Sequence, residues 1–216
     1  MQITSLHYLV TGPGCDKKLD IGFIIDRSGS IDENFDTQVI PFIRQVAKHF
    51  NISKDGVHAG VEVFSNPPVT KVVIDIGSET NTEDFIKAVN KKVVYPNNSG
   101  SHYTYINVAM KIANDKLFNY EPRKKVKRYA LFITDGKQNT LPKYKAYDKY
   151  NAKEEASKLW KKKIDVLAVG VGKGINETAL KILTDHGKHG KVIKVQDFGQ
   201  LKTSMKAILS SICTSK

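Results

Sequence analysis

Leu19-Asp20-Ile21-Gly22-Phe23-Ile24-Ile25-Asp26-Arg27-Ser28-Gly29-Ser30 runs an apolar segment into a carboxylate and then sets two hydroxyls on alternate residues. An apolar run of this length, bounded by Ser and Gly, reads as a buried strand opening into a loop. Asp26, Ser28 and Ser30 would then share one side of that loop and form an oxygen site for a hard cation. Mg²⁺ favours a small octahedral shell with few carboxylates and several waters, so hydroxyl ligands suit it. Taken alone, the D-x-S-x-S pentapeptide is equally an ordinary turn, because Asp, Ser and Gly are common turn residues.

Two further segments extend the pattern. After Asn98, Ser99 and Gly100, the stretch Thr104-Tyr105-Ile106-Asn107-Val108-Ala109-Met110 puts a threonine at the mouth of a predicted helix. Tyr129-Ala130-Leu131-Phe132-Ile133-Thr134-Asp135-Gly136 is a second buried-strand pattern, again ending on an acid. Open parallel sheets gather their ligands at such strand ends. In this order the three pieces resemble the metal-ion-dependent adhesion site of von Willebrand factor type A domains, and the resemblance spans nearly all of Cys15 to Cys213. It implies that Ser28, Ser30 and Thr104 supply hydroxyls to Mg²⁺, with Mn²⁺ or Ca²⁺ as substitutes. Asp26 and Asp135 would hold the ion directly or through water. The partner implied is a cell-surface or matrix protein that presents an acidic residue to the metal.

Elsewhere strand-like runs alternate with helical periodicity. Phe35, Val39, Phe42, Ile43, Val46 and Phe50 predict a helix that Pro41 should kink or interrupt. Val57–Phe64 and Val69–Ile76 read as adjacent strands joined by a Ser-Asn-Pro-Pro turn, which makes one antiparallel edge. Helices are expected around Phe85–Val93, Ile106–Leu117, Asn151–Lys162, Asn176–Asp185 and Gln200–Ile212. Strands are expected at Lys127–Thr134, Ile164–Val171 and Val192–Gln196. The alternation predicts a doubly wound α/β fold: a mostly parallel central sheet, one antiparallel edge strand and helices on both faces. At 216 residues one such domain accounts for the chain. Its expected limits are 15–213, with an N-terminal extension at 1–14 and a tail at 214–216.

Cys15 and Cys213 bracket this unit, and the termini of doubly wound domains can lie close together. A disulfide between them is the expectation, with two separate thiols as the alternative, and a bond implies an oxidising, extracellular setting. The sequons at Asn51, Asn97 and Asn176 are compatible with secretion. Met1–Gly14 lacks the basic head and long apolar segment of a secretory signal. No apolar run is long enough to cross a bilayer.

A narrower resemblance rests on Val39-Ile40-Pro41-Phe42, Val63-Phe64-Ser65-Asn66, the stretch Val169-Gly170-Val171-Gly172-Lys173-Gly174-Ile175-Asn176 and the closing Ser210-Ser211-Ile212-Cys213. Together they are similar to the A domain of the thrombospondin-related anonymous protein family, adhesins of apicomplexan parasites. That likeness implies the ectodomain of a type I membrane adhesin, held in a secretory organelle before release, which binds host receptors during gliding and invasion. It also implies closed and open states coupled to a final helix at Gln200–Ile212, whose apolar face is Leu201, Met205, Ile208 and Leu209. Asp185–Lys191 departs from the family, with His, Gly and Lys where an extra cysteine pair is expected. An A domain of a metazoan collagen-like matrix protein is the other reading.

The net charge of +12 favours polyanionic partners. Lys124, Lys125, Lys127 and Arg128 form the cluster selected for sulfated glycosaminoglycan, against the alternative of a solvated lysine-rich face. Nucleic acid is the poorer reading and is not expected as a partner, because no recognition motif or stacking platform accompanies the charge. The glycines at 170, 172 and 174 lack the rest of a phosphate-binding motif and predict a tight turn. His186 and His189 are expected to be exposed loop residues rather than zinc ligands. His102 has two readings, the rim of the adhesion site or an exposed loop residue. Catalysis is not expected. A metal-dependent phosphatase would want a second acid where Ser28 stands, and no G-x-S-x-G elbow surrounds Ser28 or Ser30.

Overall fold

A computed structural model describes Cys15 and residues 17–95, 103–136, 138–139, 141–185 and 190–213. Six strands form one sheet in the order β3-β2-β1-β4-β5-β6. They are β1 (Leu19–Asp26), β2 (His58–Phe64), β3 (Lys71–Ile74), β4 (Lys127–Thr134), β5 (Ile164–Val171) and β6 (Lys191–Val195). All pairings are parallel except β2 with β3, so the antiparallel edge falls where the Asn-Pro-Pro turn predicts it. The helices are α1 (Ile40–Lys48), α2 (Thr82–Lys92), α3 (Ile106–Ile112), α4 (Ala152–Lys161), α5 (Glu177–Thr184) and α6 (Leu201–Cys213).

Strand β1 is buried along its whole length, as a central parallel strand covered on both faces must be. Its odd residues Leu19, Ile21, Phe23 and Ile25 enter a core shared with α1, α2 and α6. Ile24 enters a second core with α3, α4 and α5. Strand alternation therefore sends Asp20 and Asp26 to the α3 side.

Pro41 interrupts the α pattern as expected: the helical backbone runs on from Phe35, but Phe35–Val39 ahead of the proline is a π-helical turn, and the α-helix proper begins at Ile40. Asn81, Asn151 and Asn176 cap α2, α4 and α5 through their side chains, so the Asn176 sequon has a structural use. After β5 the chain makes the tight turn expected of its glycines. A Cβ on Gly170 would come within 2.7 Å of Leu180 on α5, and Gly172 sits at φ +91°.

Cys15 and Cys213 are joined by a disulfide, with Cα atoms 5.5 Å apart. In α6, Leu201, Met205 and Ile208 are buried and Leu209 only half-buried. No described helix is long and apolar enough to cross a membrane. The segments 1–14, 96–102 and 186–189 and the tail 214–216 lie outside the described residues, and with them Asn97–Gly100, His102, His186 and His189.

Candidate metal centre

The sheet reverses its winding direction between β1 and β4, because the strands after β1 add on one side and those after β4 on the other. The crevice beyond the carboxyl ends of two such strands is where open α/β sheets bind ligands. Asp26 is the last residue of β1, and Asp135 follows the last residue of β4.

Asp26 is fully buried. Its Oδ1 accepts the Ser28 backbone N–H at 2.8 Å, and its Oδ2 accepts the Thr134 hydroxyl at 2.5 Å. The Ser28 and Ser30 Oγ atoms lie 3.2 Å apart, and Ser30 Oγ donates to Asp135 Oδ1 at 2.9 Å. Thr104 is buried at the mouth of α3, its backbone pinned from both sides by Asn139: the Thr104 N–H donates to Asn139 Oδ1 at 2.6 Å and its carbonyl accepts the Asn139 N–H at 3.1 Å. The Thr104 hydroxyl faces the Asp135-Gly136 turn, since a Cβ on Gly136 would lie 3.5 Å from it. The structure thus brings Asp26, Ser28, Ser30, Thr104 and Asp135 to one place from three chain segments.

The electrostatics are one-sided. Burial pushes the Asp26 carboxyl up from 3.8 to about 7, and nearby Asp135 adds to the rise against the opposing hydrogen bonds from Thr134 and Ser28. Burial likewise raises Asp135. Arg27 gives no relief: its guanidinium turns away and donates to the Val69 carbonyl at 2.5 Å and the Val94 carbonyl at 3.3 Å. Among the described residues no lysine, arginine or histidine forms an ion pair with Asp26 or Asp135. Nor do three or more His, Cys, Asp or Glu side chains gather as a metal cluster among them. Two acids with three neutral hydroxyls is instead an oxygen set that fits a hard divalent cation.

Sequence reasoning missed the supports. Thr134 is the direct partner of Asp26, and its position immediately before Asp135 is a signal that could have found it. Asn139 and Gln138, which accepts the Asn107 N–H at 3.1 Å, lock the start of α3 against the loop after β4. Asn66 does the same from the β2 side by accepting the Tyr103 N–H at 2.9 Å.

The basic cluster is only partly assembled. Lys124 and Lys125 are exposed and Lys127 is half-buried, but Arg128 is buried, and its guanidinium donates to the Lys162 carbonyl. Residues adjacent in a strand point to opposite faces, so Lys127 and Arg128 cannot share a surface.

A family model described as the von Willebrand factor type A domain matches residues 20–207. The chain is 28% identical over 200 residues to the human collagen alpha-5(VI) chain, which covers 91% of this chain and 7% of the collagen. It is 27% identical over 206 residues to the thrombospondin-related anonymous protein of Plasmodium berghei, covering 92% of this chain and 32% of that protein. The chain therefore spans a third or less of these relatives. Among solved structures, the proximal thread matrix protein 1 of mussel byssus with a zinc-occupied MIDAS motif superimposes with a TM-score of 0.77 at 23% identity. That match covers 94% of this chain and 47% of the other.

Proposed function

The chain belongs to the von Willebrand factor type A domain family, and we propose that it is a non-enzymatic adhesion module that holds a ligand through a divalent cation at the β1–β4 crevice. The observation that carries this reading is the juxtaposition of buried Asp26 with Ser28, Ser30, Thr104 and Asp135, with no cation among the described residues paired to either acid. Ser28, Ser30 and Thr104 would hold the ion through hydroxyl oxygens, with Asp26 and Asp135 supporting it directly or through water. When bound, the ion supplies an electrophilic position for a carboxylate oxygen of the partner. Neutral protein oxygens leave its positive charge largely unquenched, which favours that acidic ligand. Mg²⁺ is the ion proposed, with Mn²⁺ or Ca²⁺ as substitutes.

The setting proposed is extracellular, supported by the Cys15–Cys213 disulfide. The adhesive unit proposed runs from Cys15 to Cys213. A role in parasite gliding and invasion draws on the Plasmodium relative, and a matrix role draws on the collagen at nearly the same identity. The adhesive mechanism is common to both.

Titration calorimetry with Mg²⁺ and with Mn²⁺ should give one ion per chain. Asp26→Ala should abolish the heat and Thr104→Ala should weaken binding, with the circular dichroism of both variants unchanged. Adhesion to cell monolayers or to matrix-coated surfaces should vanish in EDTA. Adhesion that survives chelation would remove the mechanism.

A further inference from the structure

Ser28 and Ser30 sit on a loop that needs holding. Just past Ser30 the chain goes through Asp32 at φ +32°, a left-handed backbone that a non-glycine residue adopts only under constraint. Arg27 supplies ties directed away from Asp26. It is 5% exposed, and its backbone N–H donates to the Phe64 carbonyl, at the end of β2, at 2.8 Å. Its guanidinium reaches two further segments. Nη2 donates to the carbonyl of Val69, in the Pro67–Val69 turn that joins β2 to β3, and Nη1 donates to that of Val94, just past the end of α2.

Both segments border the metal centre. Asn66, at the head of the proline turn, accepts the N–H of Tyr103, the residue before Thr104. Tyr95, which follows Val94, packs its ring 5.7 Å from that of Phe35. It lies close enough to Asp32 and Asp26 for their charges, after burial, to raise its hydroxyl. From one position Arg27 thus links the Ser28–Ser30 loop to the segments on either side of it. Stability alone does not account for a guanidinium there. Its Nε is buried without a partner, and among the described residues no carboxylate forms an ion pair with Arg27. A buried charge without a counter-charge is costly, and an apolar side chain would fill the space at less cost. Nor does the charge help a cation in the crevice, which it repels. What arginine offers is a rigid planar fork that donates in two directions at once, whereas lysine carries all its donors on one nitrogen.

We propose that Arg27 is the positioning residue of the metal centre, holding its loop so that the Ser28 and Ser30 hydroxyls both reach the cation. The role rests on the metal-dependent reading given above. A site left loose by about 1 Å fails even with every ligand present, and water takes the place of the protein oxygen that falls short. Field and brace predict opposite signs. By its field alone, loss of the Arg27 charge would tighten cation binding; by loss of the brace, it would weaken it.

The test is titration of the whole chain with Mn²⁺, read by the electron paramagnetic resonance of the free ion, with the waters on bound Mn²⁺ counted by oxygen-17 relaxation. Arg27→Met removes a repelling charge, yet it should weaken Mn²⁺ binding at least tenfold and add about one water to the bound ion. Arg27→Lys keeps the charge but not the fork, and should lose at least fivefold with the same added water. Leu159→Ala opens the core at the end of α4, by the amino edge of the sheet, and destabilises the fold without touching the loop. It should change affinity less than twofold and leave the water count as it is. Tighter binding in Arg27→Met with parent-like binding in Arg27→Lys would reduce Arg27 to a field effect and overturn the role. Unchanged affinity and water count in both variants, or equal changes in Leu159→Ala, would overturn it too. Should Arg27→Met fold poorly, Arg27→Lys carries the test. A parent chain that takes up no Mn²⁺ would remove the metal centre itself, and the role of Arg27 with it.

Discussion

Asp20 and Asp26 stand six residues apart on one strand, face the same side of the sheet and are both fully buried. Asp20 is satisfied by its own protein: Arg123 binds Oδ1, Tyr120 donates its hydroxyl to Oδ2 at 2.6 Å, and His58 lies 3.9 Å from Oδ1. Asp26 is met by neutral donors alone, the Ser28 backbone N–H and the hydroxyls of Thr134 and Ser28, and its charged neighbour is another acid. Burying a carboxylate is costly unless a counter-charge accompanies it. The fold supplies that charge at the amino end of β1, whereas among the described residues no cation pairs with Asp26 at the carboxyl end. The first end is completed by the protein itself; under the proposed function a cation from solution would complete the second.

The largest effect expected from this contrast lies at the stable end. The disulfide closes a sequence separation of 198 residues, and the chain-entropy account assigns a loop of that length about 5 kcal/mol. Cys15→Ser with Cys213→Ser should therefore lower the urea-unfolding free energy by about that amount. Metal affinity in the folded fraction should stay within twofold. A tenfold loss of metal affinity would show that the two ends are coupled, as a movable α6 carrying Cys213 at its tip would require.

A second effect isolates the incomplete end through pH. The Asp26 carboxyl is raised from 3.8 to about 7 in the fold, so between these values the folded state holds a proton that the unfolded chain has released. Its stabilising contribution is full below about pH 4 and is lost as pH climbs through 7, on the order of 4 kcal/mol. Asp135 and Glu62 are raised in the same direction. Subtracting the profile of Asp26→Asn from that of the parent chain, both metal-free, gives the Asp26 share. Saturating divalent cation should reverse the slope, because the ion displaces the proton. A flat difference profile would mean that the crevice already compensates Asp26.

Most of the fold was legible because its signals are local. β4 and β5 fall on the residues that their apolar runs mark, and the proline turn places the antiparallel edge. The proximity of Asp26, Ser28, Ser30, Thr104 and Asp135 was also legible, since each sits at a strand end or helix start; their role as metal ligands remains a proposal. What side chains do beyond their own segment was not. A basic string at 124–128 reads as one patch until strand alternation buries Arg128. Glu62 sits unremarked between two valines in β2, yet it is fully buried with neither carboxylate oxygen hydrogen-bonded. Burial pushes its carboxyl well up. The Asp20–Arg123 pairing spans 103 residues, and only the register of β1 against β4 shows it.

The smallest effect is the sharpest form of the comparison: the same substitution at both aspartates, measured metal-free at pH 5. Asp20→Asn removes the charge that Arg123 was placed to meet and leaves a partly buried guanidinium uncompensated, so a loss of about 3 kcal/mol is expected. Asp26 is protonated at that pH, and an amide has nearly its shape and the same charge. An asparagine oxygen can still accept the Ser28 N–H. The Thr134 hydroxyl, which now donates, can rotate to accept from the amide nitrogen. Asp26→Asn should therefore shift stability by no more than about 1 kcal/mol while eliminating the metal-binding heat. Equal losses at the two positions would mean that Asp26 is a structural residue like Asp20. The crevice between β1 and β4 would then have no unmet charge to offer a cation.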